Sequence, residues 1–478
     1  MQLQIGRRPR SCNPWTGEPS CSGGRLRALV AFLCKATCRR ADEGVRIDQG
    51  GAGGCAGIFT PRATRCRSRR TTRRREDERP PRGRSCLPGQ TRAHLPRSLT
   101  SILSQGFAVQ GGKGVDIAED LFPILGIDHL EFYVGNAKQS AHYYRALGFS
   151  PVAYAGLETG LRDRASYLVR QGEINLVFTS ALNGSSDIAR HVREHGDGVH
   201  DVAFSVPDAE AAYQTALQRG AKSVSEPQAF EDEHGKLVRA GIATYGETIH
   251  SLISRRDYSG SFSPGWKRLD YNDTSGFGLR YIDHVVGNVE LGRMNEWVSF
   301  YERIMGFTEL RHFSDEEIST DYSSLMSKVV WDGEGKIKLP INEPARGKRK
   351  SQIEEYLDYY GCPGVQHIAM ASDDIVGAVE SMRNAGLDFL RVPETYYEDV
   401  KQRVPEITPQ INALQRNGIL VDKDEDGYLL QIFTKPVQDR PTVFYEVIER
   451  HGAKGFGAGN FKALFEAIER DQAERGNL

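Results

Sequence analysis

Beyond residue 100, this chain of 478 residues holds one of its eight cysteines, Cys362. A polypeptide of that length builds its core without covalent staples, so a disulfide framework is excluded there and a reducing compartment is expected. Long apolar runs are missing too. The best of them, Ala28 to Cys34, has seven residues and ends at Lys35, far short of the ~18 of a membrane span and with no small-residue cleavage site behind it. Neither a membrane partner nor secretion is expected, and the cytoplasm is the expected location. Lysine is scarce in residues 1–100, which hold Lys35 and 21 Arg against 7 acidic residues; the remaining 378 hold 40 basic and 56 acidic ones. The formal charge of −1 is therefore the sum of two unlike sequences.

The basic segment, residues 1–105, carries the other seven cysteines. They show no paired zinc spacing, and an odd count argues against disulfide pairing. Its Arg runs have no apolar face beside them, as an amphipathic transit peptide requires. The mix of Arg, Gly, Pro and Cys is what a GC-rich stretch gives when read without selection for folding. Translated sequence upstream of the true start is the favoured reading, ahead of a disordered polybasic tail and a transit peptide. No site is assigned to it.

From Leu121 the chain repeats itself. The stretch 126–152, "GIDHLEFYVGNAKQSAHYYRALGFSPV", matches 281–310, "YIDHVVGNVELGRMNEWVSFYERIMGFTEL". Both read strand, amphipathic helix, Gly-Phe, strand, with Gly148 and Gly306 placed to stop the helices. A second pair, 198–221 and 364–387, follows the same plan. Four such units make two halves, 121–257 and 278–450, joined by a Gly/Ser-rich linker at 258–277 and followed by a Gly hinge and helix at 451–478. This α+β arrangement resembles the vicinal-oxygen-chelate superfamily, which includes glyoxalase and bleomycin-resistance proteins. The resemblance implies two tandem halves, each of paired βαβββ modules curled into an open barrel that holds a metal.

In the second half three strand-like segments each present a metal-ligand type. His284 alternates with apolar neighbours in "YIDHVVGNV", His367 in "GVQHIAM" and Glu446 in "TVFYEVIER". A carboxylate on a buried apolar strand face costs several kcal/mol unless it is paired or coordinating. Two imidazoles and one carboxylate leave three positions of an octahedron open, as in non-heme Fe(II) oxygenases. In the first half His129 matches His284, but Asp201 stands at the place of His367 and no carboxylate matches Glu446. That half is expected to pack without a metal, with His129 and His200 as structural or surface residues. The acidic run at 422–427 starts like a calcium loop, but Phe433 occupies its twelfth position, so a hairpin turn is expected. The basic cluster 346–350 has no interleaved aromatics, and no nucleic-acid partner is expected.

The segments "SSLMSKVV", "KLPINEP", "KSQIEEYLDYYG", "DEDGYLLQIFTKP", "RPTVFYEVIERHG" and "GFGAGNFKALFEAIE", together with those quoted above, resemble the 4-hydroxyphenylpyruvate dioxygenase family over Leu121 to Leu478. The resemblance implies one Fe(II) per subunit on His284, His367 and Glu446, with 4-hydroxyphenylpyruvate and O2 as substrates and homogentisate and CO2 as products. It also implies catalytic or pocket roles for Gln431, Phe433, Asn460 and Phe461, and contacts to the substrate or to the residues that hold it or the metal for Ser327, Asn342, Gln352 and Gln366. Gln366 alternates with His367 along its strand, so a direct contact is least secure there. The family implies a homodimer or homotetramer. Alternatives are a hydroxymandelate synthase, a metal-free binding protein of the same fold, or a zinc or manganese lyase of the superfamily. In the C-terminal helix, Phe461, Leu464, Phe465 and Ile468 form an apolar stripe, with Glu466 and Arg470 spaced for an ion pair. It reads either as a lid over the pocket or as a helix that simply packs.

Overall fold

In a computed structural model of the protein, residues 122–270, 276–314, 324–345 and 347–477 are described. The basic segment 1–105, with the readings attached to it, lies outside them. The first half runs β1 (Gly126–Tyr133), α1 (Ala137–Tyr143), β2 (Ser150–Ala155), β3 (Arg164–Gln171) and β4 (Ile174–Ala181). It continues with α2 (Asp187–His195), β5 (Gly198–Ser205), α3 (Ala209–Gln218), β6 (Ser223–Asp232), β7 (Gly235–Ala243), β8 (Ile249–Tyr258) and a short β9 (Lys267–Arg268). The second half repeats this order with β10 (Leu279–Asn288), α4 (Met294–Met305), β11 (Thr308–Phe313), β12 (Leu325–Trp331) and β13 (Lys338–Pro344). It continues with α5 (Gln352–Tyr360), β14 (Gly364–Ser372), α6 (Ile375–Asn384), α7 (Tyr396–Arg403), α8 (Ile411–Asn417), β15 (Leu420–Lys423), β16 (Tyr428–Phe433) and β17 (Phe444–His451), and closes with α9 (Phe461–Glu474).

Local chemistry sets the helix ends. Asn136 caps α1 by accepting from the Gln139 amide, and Ser351 and Glu354 form a reciprocal capping box at the start of α5. Gly148 and Gly306 take φ of 86° and 68°, the left-handed geometry that ends a helix cheaply.

One sheet has the order β6-β7-β8-β5-β1-β4-β3-β2-β9 and the other β11-β12-β13-β10-β14-β17-β16-β15. Each is joined at its centre by an antiparallel pair, β1 with β5 and β10 with β14, flanked by parallel neighbours. The registers are equivalent: His129 lies opposite Ala203 as His284 lies opposite Ala369, so Asp201 and His367 hold corresponding places. One apolar cluster draws on both halves, from Leu130, Phe178 and Phe204 to Val285, Tyr301 and Val447. Two buried polar contacts cross it: Tyr144 and Tyr445 share a hydrogen bond of 2.6 Å, and Tyr301 and His250 one of 2.8 Å. Among the described residues no helix is long and apolar enough to cross a membrane.

The stretch read as a linker does more than connect. Within it β9 pairs with β2, and Phe262 is buried against Ala153, Leu168 and Val177 with Trp266 packed beside it. The fourth module carries an insertion, α7 and α8, between its helix and its last three strands. The acidic turn joins β15 to β16, where Asp424 accepts from the Asp426 and Gly427 amides at 3.0 Å and, with its other oxygen, from Lys454 and Gly455.

Candidate metal centre and active site

Three adjacent strands bring the ligand types together. His284 on β10 lies opposite Ala369 on β14, and Ala369 lies opposite Glu446 on β17. His367, two residues before Ala369, shares its face by strand alternation. His284 Nε2 stands 3.2 Å and His367 Nε2 3.5 Å from Glu446 Oε2, and all three ligand atoms lie within 4.8 Å of one another.

The residue before each histidine aims its ring. His284 Nδ1 donates to Asp283 at 2.8 Å, and His367 Nδ1 donates to the Gln366 side-chain oxygen at 3.0 Å. Asp283 is itself held by Arg450, whose Nε and Nη2 donate at 2.8 Å, and by Lys338 at 3.3 Å. With both Nδ1 atoms donating, both Nε2 lone pairs converge on a carboxylate oxygen in a buried space. A cation at that point satisfies both lone pairs and the carboxylate together, and these residues fit a metal ion that binds nitrogen and oxygen. Burial works against a charged Glu446, yet the two imidazoles outweigh it and hold its carboxyl below the usual range. Burial likewise opposes a charged Asp283, but Arg450 and His284 keep it well below that range.

The centre opens on an aromatic cavity. Its walls include Phe313, Phe433, Phe444, Phe456, Phe461 and Phe465. Polar groups reach it from Ser327, Asn342, Gln352, Gln366 and Gln431. His367 stacks on Phe444 with ring centroids 4.8 Å apart, and Phe461 meets Phe313 edge to face at 5.1 Å. Ser327 and Asn342 sit opposite each other on β12 and β13, and Gln352 opens α5. Both amide atoms of Gln431 are buried without a hydrogen-bond partner, an orphaned polar group of the kind a substrate satisfies. Gly457, at φ 77°, passes so close that any Cβ there would collide with the Gln431 amide.

Asn460 does not line the cavity. Its Oδ1 accepts from the Tyr396 hydroxyl at 2.6 Å, which fastens the start of α9 to α7. Nor does Arg470 pair with Glu466: it donates to the Arg391 carbonyl at 2.7 Å, because that carbonyl lies closer to the helix face Arg470 occupies. The apolar stripe of α9 covers the cavity through Phe461, Leu464, Phe465 and Ile468. The helix is tied at its far end by Arg475, which donates to both Glu355 oxygens at 2.8 and 3.1 Å. Sequence reasoning passed over Asp283, Arg450 and Phe456. The signal for Asp283 was present as the "IDH" triplet that recurs at 127–129, where Asp128 and His129 form the same bond at 2.6 Å.

In the first barrel a side chain takes the place of the ion. Arg239 Nη2 lies 2.9 Å from Asp201 and 3.6 Å from Glu131, two carboxylates grouped with His129, and its Nε donates to Ser251 at 3.0 Å. By the β5/β8 register Ser251 stands where Glu446 stands in the second half. His129 packs edge-on against Phe262, and His200 stacks on Tyr133.

Comparison with known proteins agrees with this geometry. Residues 119–263 match the family model for the N-terminal domain of hydroxyphenylpyruvate dioxygenase, and residues 281–432 that of the glyoxalase, bleomycin-resistance protein and dioxygenase superfamily. A 4-hydroxyphenylpyruvate dioxygenase of Dictyostelium discoideum is 48% identical over 365 residues, 74% of this chain and 100% of that protein. Its counterpart in Xenopus tropicalis is 49% identical over 367 residues, covering 74% and 93%. A solved structure of a substituted 4-hydroxymandelate synthase from Streptomyces coelicolor superposes with a TM-score of 0.66 at 34% identity, covering 73% of this chain and 99% of that one. An enzyme with a metal centre and a small-molecule pocket, the chain belongs to the 4-hydroxyphenylpyruvate dioxygenase family.

Proposed function

We propose that the protein is an Fe(II)-dependent dioxygenase that converts 4-hydroxyphenylpyruvate and O2 to homogentisate and CO2. The observation that carries this reading is the convergence of His284, His367 and Glu446 on one buried point that faces an aromatic-walled cavity. Two imidazoles and one carboxylate on a face are the ligand set of non-heme Fe(II) oxygenases. The chemistry the iron supplies when bound is chelation of the 2-oxo acid and activation of O2, with the oxo acid as internal electron source.

The chain's own part is placement and exclusion of water. Phe433 and Phe461 wall the aromatic ring, and the orphaned amide of Gln431 supplies the donor and acceptor that orient it. Ser327, Asn342 and Gln352 receive the phenol end. Gln366 acts through His367 by fixing its ring, and Asn460 acts through the start of α9. With its apolar face over the pocket, α9 keeps water from reactive species. The protein works as a homodimer or homotetramer in the cytoplasm, for which sedimentation and cell fractionation are the checks.

The test is anaerobic loading with Fe(II), then addition of 4-hydroxyphenylpyruvate and O2 with identification of the product. Homogentisate with one CO2 per turnover is expected. Hydroxymandelate would move the assignment to the synthase represented among the structural relatives, and bound iron without CO2 release would refute both.

A further inference from the structure

A second group of metal-ligand side chains lies away from the cavity, where the two halves meet. His191 and His195 stand one turn apart on α2 and so share a face; both are buried. Glu247, in the turn between β7 and β8, places its Oε2 3.4 Å from His191 Nδ1 and 3.4 Å from His195 Nε2. The three ligand atoms lie within 4.8 Å of one another.

The remaining ring nitrogens are held by the second half. His195 Nδ1 donates to the Tyr360 carbonyl at 2.5 Å, at the end of α5. The Tyr360 hydroxyl lies 3.4 Å from the Val199 carbonyl and 3.5 Å from His191 Nε2. His195 Nε2 thus turns a lone pair toward Glu247 Oε2 and makes no hydrogen bond, while His191 Nδ1 stands at hydrogen-bond distance from the same oxygen. The facing lone pairs of His195 Nε2 and Glu247 Oε2 repel one another unless a cation stands between them, and His191 Nδ1 joins them as a ligand by giving up its proton. Arg190 occupies the other carboxylate oxygen at 2.6 Å, which leaves Oε2 as the ligand atom. Cys362 is a neighbour but not a ligand: its thiol donates to the Pro363 carbonyl at 3.2 Å and sits beside His195 Nδ1.

The donor set also narrows the ion: two imidazole nitrogens and one carboxylate oxygen are zinc ligands at about 2.0–2.1 Å, and the two 3.4 Å separations from Glu247 Oε2 leave room for bonds of that length. The Glu247 side chain is 33% exposed, so one side of the site opens to solvent and leaves a fourth position for water. We propose that His191, His195 and Glu247 form a second divalent-cation site of the zinc-binding class, which clamps α2 to the β7–β8 turn beside the end of α5.

The full-length chain carrying His367→Ala with Glu446→Ala, which silences the catalytic centre, is dialysed against Zn²⁺ or Co²⁺ and its metal content measured. About one equivalent is expected to remain. Co²⁺ should give the intense visible bands of four-coordinate geometry, and Zn²⁺ should raise Tm by a few degrees. Adding Glu247→Gln or, separately, His195→Gln should abolish all three signals, with near-ultraviolet circular dichroism showing that at least one of these variants is folded. No metal retained by the parent, weak six-coordinate Co²⁺ bands, or metal retained by a folded Glu247→Gln or His195→Gln protein would each overturn the assignment.

Discussion

The bond from His367 Nδ1 to Gln366 makes a side chain matched to the pocket into a support for a proposed metal ligand. Partners of this kind set the orientation and basicity of a ligating ring, and losing one costs about 10–100-fold in metal affinity. Gln366→Leu is therefore expected to weaken Fe(II) binding by about that factor, measured by titration against a chelator; unchanged affinity would remove the orienting role. A different histidine governs acid stability. His250 is fully buried between the Val202 carbonyl and the Tyr301 hydroxyl, and burial pushes its pKa down to about 4. The unfolded chain takes up a proton near pH 6.5 while the folded chain resists until about pH 4. Stability from this group is thus complete above pH 6.5 and is lost as pH falls through that window, by about 3 kcal/mol in all. Urea midpoints at pH 7.5 and 5 should diverge less in His250→Gln than in the parent. The grouping of His284, His367 and Glu446 was legible, because they interrupt apolar strand faces where such groups are costly. The direction of Asn460 was not, since nothing periodic fixes a side chain that follows a run of glycines.

The segment that leads from β17 into α9 shows how a helix is delivered to a pocket. Asp424 gathers two amides of the glycine-rich loop, Gly457 passes against Gln431, and Arg475 fastens the last turn to α5. Gly457→Ala places an L residue at φ 77°, costing about 1–2 kcal/mol from backbone geometry, and forces the Gln431 amide aside. A lower Tm and a raised KM for the oxo acid are expected together; a lower Tm with an unchanged KM would separate the loop from the pocket. Phe461→Ala opens the wall that α9 lays over the cavity. CO2 release should then exceed homogentisate formation, and equal yields would count against a shielding role for this helix. The apolar stripe of α9 was readable from its spacing. The insertion of α7 and α8 was not, because the internal repeat offers no template for what only one module contains.

Both barrels were foreseeable from the doubled "IDH" and "GV" segments, since a strand-helix-strands unit cannot bury its apolar face alone. Their fusion was less visible, as contacts such as Tyr144 with Tyr445 join residues 301 positions apart. A single apolar cluster spanning both halves implies that neither is an independent folding unit. Scanning calorimetry of the metal-free chain should show one cooperative transition for the two barrels, and residues 278–478 expressed alone should remain unfolded; a stable, compact fragment would contradict this.

Arg239 stands among Asp201, Glu131 and His129 where the other barrel requires an ion. Of these two equivalent places the duplicated architecture therefore leaves one for an ion, because the positive charge of the first barrel is encoded as an arginine codon. Chelation that strips the second barrel leaves the charge balance of the first untouched.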